Sequence, residues 1–154
     1  MKKKIVLSVI MLALLAAAVV SVIVVKNHTV TNSKPQSYSS LDEANEASDF
    51  SLDGSDRLCG YPATNYEASS DTVKIIYADA GFISKTLGES DNSTGNRSYT
   101  ETSERDIDGK TVTFNGNEGN VYLAVWNENG FSYTVSVTEG VEADEMSEYV
   151  KVTR

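Results

Sequence analysis

VYLAVWNENGFSYTVSVT, residues 121–138, reads as two strands and the turn between them. In its second half, Phe131, Tyr133, Val135 and Val137 alternate strictly with Ser132, Thr134, Ser136 and Thr138. A period of two puts the first set on a buried face and the second on a polar one. In its first half, Tyr122, Ala124 and Trp126 stand opposite Val121, Leu123 and Val125, so both faces are apolar. Such a strand belongs in the middle of a sheet, covered on both sides. Residues 127–130 (NENG) make the turn, with Gly130 where a left-handed backbone is needed. Tyr122, Trp126 and Tyr133 are the candidate binding surface of this hairpin, because Tyr and Trp on an open sheet face suit peptide or glycan contact. Packing within the sheet is the plainer use of the same rings.

The reading extends upstream. Residues 73–78 (VKIIYA) and 82–87 (FISKTL) are strands on either side of an Asp79-Ala80-Gly81 turn. Residues 99–106 are polar but strand-like, and Asp108-Gly109 supplies the positive dihedrals of a two-residue turn into residues 110–114. Residues 88–97 and 115–120 are turn-rich linkers without a large apolar side chain. Residues 53–70, rich in Gly, Pro, Ser, Asp and Asn, read mostly as loop. A helix is expected at each end. Ser40 and Glu43 form a capping box for residues 41–48, where Leu41, Ala44 and Ala47 make a narrow apolar stripe. Beyond Gly140 the helical period returns. Glu142 caps it, Val141 and Met146 staple it, and Met146, Tyr149 and Val150 form its apolar face. The fold class is therefore α+β: an antiparallel β-meander of about five or six strands with an N-terminal and a C-terminal helix.

Ahead of this domain, Lys2, Lys3 and Lys4 precede an apolar run over residues 5–25, broken only by Ser8 and Ser21 and closed by Lys26. As a helix the run is about 31 Å long, which matches the hydrocarbon core of a bilayer. The sequence predicts a transmembrane signal-anchor helix with residues 1–4 cytoplasmic, because the charge cluster stays inside. Residues 26–40 then read as a flexible tether and residues 41–154 as the extracytoplasmic domain. The localisation expected is the cell membrane, single-pass. The competing reading is secretion after cleavage near Ala18, which would leave VVSVIVV at a new terminus in water.

The chain carries 22 acidic and 13 basic residues, and four of the basic ones (Lys2, Lys3, Lys4, Lys26) flank the span. The exported part is thus strongly acidic, which disfavours nucleic acid and anionic lipid as partners. The single cysteine, Cys59, allows no internal disulfide and reads as a buried small hydrophobe. The single histidine, His28, lies just beyond the span, so nucleophile–histidine catalysis and His/Cys zinc sites are not expected. No phosphate-cradling glycine motif occurs. The pairs Asp53/Asp56 and Asp106/Asp108 are candidates for calcium or, more remotely, for glycoside hydrolysis. Neither matches an EF-hand loop, and Asp108-Gly109 is better read as turn chemistry. Asn92-Ser93-Thr94 matches a glycosylation sequon. No catalytic, cofactor-binding or metal-binding residue is assigned.

The strand VYLAVW, the hairpin NENGFSYTVSV, Gly140-Val141 and the acidic helix with Met146 resemble a family of bacterial extracytoplasmic domains of unknown function. Leu41-Asp42-Glu43-Ala44 through Phe50 resembles the start of the same domain. The resemblance implies tethering through an N-terminal transmembrane helix or lipid, in some members with fusion to anti-sigma-factor segments. It carries no catalytic residues. With only residues 1–4 inside, a cytoplasmic anti-sigma segment is not expected. The functional expectation is a non-catalytic binding or sensory accessory module without a cofactor. Its partner would be a protein, peptide or envelope component on the outer side of the membrane. A structural envelope protein is the first alternative, and an acidic-residue hydrolase acting on wall components is the second.

Overall fold

Where each strand sits follows from how apolar it is. A computed structural model describes residues 34–89 and 98–154, all within the unit Asn32–Arg154. Its strands are β1 (Gln36–Tyr38), β2 (Arg57–Leu58), β3 (Tyr61–Pro62), β4 (Asn65–Ala68), β5 (Thr72–Ile76) and β6 (Gly81–Leu87), followed by β7 (Glu101–Ile107), β8 (Lys110–Asn117), β9 (Asn120–Glu128) and β10 (Phe131–Val141). One helix spans Leu41–Glu46, and the C-terminal helix spans Ala143–Val152. Eight strands form one antiparallel sheet in the order β1-β4-β5-β6-β10-β9-β8-β7, and β2 and β3 pair separately. β10 buries Tyr133, Val135 and Val137 on one face and Ser132 and Thr134 on the other, so it needs neighbours on both sides. β7 (ETSERDI) exposes everything except Ile107. It belongs at an edge, where its charges also discourage further pairing.

This corrects two expectations. The main sheet has eight strands rather than five or six, and it is not a single meander. β4-β5-β6 and β7-β8-β9-β10 are two meanders, joined where β6 pairs β10 from Phe131↔Leu87 to Val137↔Gly81. The extra strands come from segments read as tether and loop. β1 lies within residues 26–40, and β2, β3 and β4 lie within residues 53–70. Only Leu58 and Ala68 are buried among these four, so they carry little apolar pattern. The expected span over residues 5–25 and the Asn92 sequon lie outside the described residues. Among the described residues no helix is long and apolar enough to cross a membrane.

Four two-residue turns place a left-handed residue before a glycine: Cys59-Gly60, Asp108-Gly109, Glu118-Gly119 and Asn129-Gly130. Their twist suits the flanking strands. Glu118-Gly119 turns the expected linker at residues 115–120 into a tight hairpin, so β8 reaches Asn117 and β9 starts at Asn120. A register break then re-aims β9. Leu123 pairs Asn115 and Ser136, whereas Val121 pairs Gly116 and Val141. A bulge of this kind changes which residue faces the core. Val121 joins the core cluster and Tyr122 does not.

Both helices and the segment after the first helix contribute to one core with the sheet, through Ala44, Leu52, Leu58, Met146 and Val150. Asn45 pins that segment by donating to the Leu52 carbonyl (3.1 Å) and accepting from the Leu52 amide (2.9 Å). Gly54 lies so close to Ile75 that an added Cβ would stand 2.8 Å from its Cδ1. Ser40 caps the first helix as expected, accepting from the Glu43 amide at 3.2 Å. Glu43 reaches one residue further back than a capping box requires, accepting from the Ser39 amide and hydroxyl. These bonds hold its carboxyl below the usual range. Glu142 makes no side-chain cap bond, but Val141 and Met146 are both buried in the core.

Tyr149 ties the C-terminal helix to the β2–β3 turn. Its hydroxyl accepts from the Cys59 amide and donates to a Glu145 carboxylate oxygen, each at 2.9 Å. Cys59 is half-buried, and burial raises its thiol pKa, so it is a weak nucleophile. Burial lifts the Tyr149 phenol from the ordinary 10 to about 12. A raised folded-state pKa gives stability that is complete below the unfolded value and is lost as pH climbs through the folded one. Stability should therefore fall between pH 10 and about 12, and Tyr149→Phe should make that fall shallower. Denaturant titrations across this window check it, and an identical slope in the variant would refute the role of Tyr149.

Candidate functional site

At the tip of the β9–β10 hairpin the sheet carries two aromatic pairs. Tyr133 lies opposite Trp126 across the two strands, and their rings stack 5.1 Å apart with planes 5° from parallel. Phe50 meets Phe131 at 4.9 Å. Two lysines stand on these rings. The Lys85 ammonium is 4.6 Å from the Phe131 centroid and 5.3 Å from that of Tyr133, and donates to the Ser51 carbonyl at 2.7 Å. The Lys110 ammonium is 5.8 Å from the Trp126 ring. Each such contact contributes about 0.5–2 kcal/mol and fixes a charge that would otherwise roam.

These lysines border a cavity of about 390 Å³. Arg154 adds a third cation, Asp53 and Glu128 add two carboxylates, and Ser51, Asn129 and Tyr133 complete the wall. Arg154 is held in place by its backbone, which exchanges hydrogen bonds of 2.9 and 3.0 Å with that of Asp53. Burial lowers the Lys85 pKa, while the charges of Asp53 and Glu128 pull it back up. The cavity's charges act on one another at a distance but form no close ion pair among the described residues. The ion pairs within 4.0 Å among the described residues are Arg105–Asp144 and Lys151–Glu148, both elsewhere. Among the described residues, the Lys110 ammonium, the Arg154 guanidinium and the carboxylates of Asp53 and Glu128 make no hydrogen bond.

The three expected surface residues do not form one surface. Trp126 and Tyr133 are brought together, but at 3% and 4% exposure they are a floor beneath the lysines rather than an open face. Tyr122 is half-buried outside the core, turned away by the bulge. Its ring covers Gly140, where a Cβ would stand 2.7 Å from it, and lies 6.5 Å from Tyr99. The charged residues were missed. Their signal is present in the sequence: Lys85 shares a strand face with Ile83, and Lys110 shares one with Val112 and Phe114. A lysine at an inward-facing position marks a gap in the core layer. Of the carboxylate pairs, Asp53 reaches this cavity, and Asp106 serves its own turn by accepting from the Gly109 amide at 3.2 Å. Among the described residues no group of three or more His, Cys, Asp or Glu gathers as a metal site.

No family model, curated protein or solved structure matches the chain. The cavity's two ring-held lysines, with the carboxylates of Asp53 and Glu128 beside them, can hold a charged ligand.

Proposed function

We propose that this chain is a membrane-tethered extracytoplasmic binding or sensory accessory module, non-catalytic, with its ligand site at the Lys85–Lys110–Glu128 cavity. The apolar run over residues 5–25 supports the tether. The resemblance to bacterial extracytoplasmic domains supports the location. The observation that carries the binding reading is a set of oppositely charged groups that line one cavity without pairing. Holding the two lysines over aromatic rings lowers the cost of ordering them when a ligand arrives. The ligand would be an envelope component or the charged end of a peptide or protein. The test is NMR on the full chain in lipid nanodiscs, titrated with enzymatically released cell-wall fragments. Resonances around Lys85, Lys110, Glu128 and Asn129 should shift while the fragments are recovered intact. Cleavage of the fragments would replace this reading with a hydrolase, and an unperturbed cavity would remove it.

A further inference from the structure

We infer that the ligand of this cavity is a small zwitterion of the amino-acid or peptide-terminus kind, with its carboxylate on the lysines and its ammonium on Asp53 and Glu128. The inference rests on the binding reading above and narrows it to one ligand chemistry.

A simple anion would be attracted by Lys85, Lys110 and Arg154 but would meet Asp53 and Glu128 in the lining of the same cavity. A simple cation would meet the converse. Each wrong ligand leaves one set of charges opposed, and opposition of this sort discriminates as strongly as attraction does. A molecule carrying both charges satisfies both sets. The Lys85 ammonium spends one hydrogen on the Ser51 carbonyl and keeps two donors. Within the described residues the Lys110 ammonium and both carboxylates keep all their capacity. About 390 Å³ is at the small end for ligand pockets, which run to roughly 1,000 Å³, so the part of a ligand that seats there is one or two residues. Tyr133 and Asn129 add neutral polar groups to the same wall.

The experiment is isothermal calorimetry on the full chain in nanodiscs with three probes. These are alanyl-alanine, its N-acetyl derivative (anion only) and its amide (cation only). Alanyl-alanine should bind about tenfold tighter than either blocked form, as expected for losing one charged hydrogen-bonding end. Glu128→Gln should reduce the preference over the N-acetyl form, since Asp53 alone then faces the ammonium, and Lys110→Met should reduce the preference over the amide, with circular dichroism confirming that both variants fold. A blocked form binding as tightly as the free dipeptide would overturn the inference. So would the absence of dipeptide binding. If wall fragments still shift the cavity resonances in that case, the binding reading stands and only the ligand class falls. If they do not, both fall.

Discussion

Replacing Gly81 with alanine is expected to cost about 3 kcal/mol or more of folding stability, because backbone strain and a backbone clash coincide there. Gly81 has φ +136° and ψ −153°, a region essentially reserved for glycine. A Cβ at this position would stand 2.0 Å from the Ser136 carbonyl oxygen and 3.0 Å from the Val137 Cα. Both are main-chain atoms of β10, so no side-chain rotation relieves the contact. β6 would have to separate from β10 at the Val137↔Gly81 pair, one end of the seam that joins the two meanders. Gly60 is the control. It also has positive φ, +82°, but nothing lies within 4 Å of an added Cβ. Gly60→Ala should cost only about 1 kcal/mol, since a strained backbone is its sole penalty. Chemical denaturation of the two variants separates the effects, and equal losses would show that the close approach to Ser136 carries no weight.

The elements that could be read from sequence are those whose signal is local. The alternation at residues 131–138 became the first part of β10, which runs on to Val141. Asp108-Gly109 and Asn129-Gly130 became two-residue turns because the left-handed backbone they need is a property of the residues themselves. Ser40 capped its helix for the same reason. What escaped depends on distant partners. β1 (QSY) and β4 (NYEA) hold little apolar pattern, and become strands only because β5 offers an edge on which they can build. The pairing of β6 with β10 joins segments separated by all of β7, β8 and β9, so no window of sequence contains it. The outward set on β10 reads as solvent-facing, yet Ser132 and Thr134 are buried, because side chains on both neighbouring strands crowd a central one.

The cavity was hidden by the same mechanism. Tyr and Trp are conspicuous in a strand, so the rings of Trp126 and Tyr133 are legible where the charges around them are not. The bulge that separates Tyr122 from Ala124 and Trp126 requires a comparison of two registers, Leu123↔Asn115 and Val121↔Gly116. Lysines at inward-facing positions are less conspicuous, and they define the site. Lys85 comes from β6, Lys110 from the start of β8 and Glu128 from the end of β9, each unremarkable in its own segment.

Trp126→Ala is expected to remove about 3–5 kcal/mol, the usual loss for deleting a large buried aromatic ring. That is a large part of the roughly 5–15 kcal/mol that stabilises an ordinary domain. Trp126 is 3% exposed on a central strand, and its ring is one half of the stack with Tyr133. Trp126→Phe separates the causes. It keeps a ring against Tyr133 and drops the indole N–H, which is buried without a hydrogen-bond partner among the described residues. An unpaired buried donor costs about 1–3 kcal/mol, so its removal offsets part of the lost volume. The phenylalanine variant should therefore lose less than about 2 kcal/mol, measured by thermal and denaturant unfolding. The site should follow the same order. Alanine takes away the π face beneath Lys110 and frees its ammonium, whereas phenylalanine keeps a face in place. Dipeptide affinity, measured where both variants are folded, should fall in Trp126→Ala and be largely retained in Trp126→Phe. Equal losses in the two would mean that the size of the indole, rather than its stacked face, holds the floor of the cavity together.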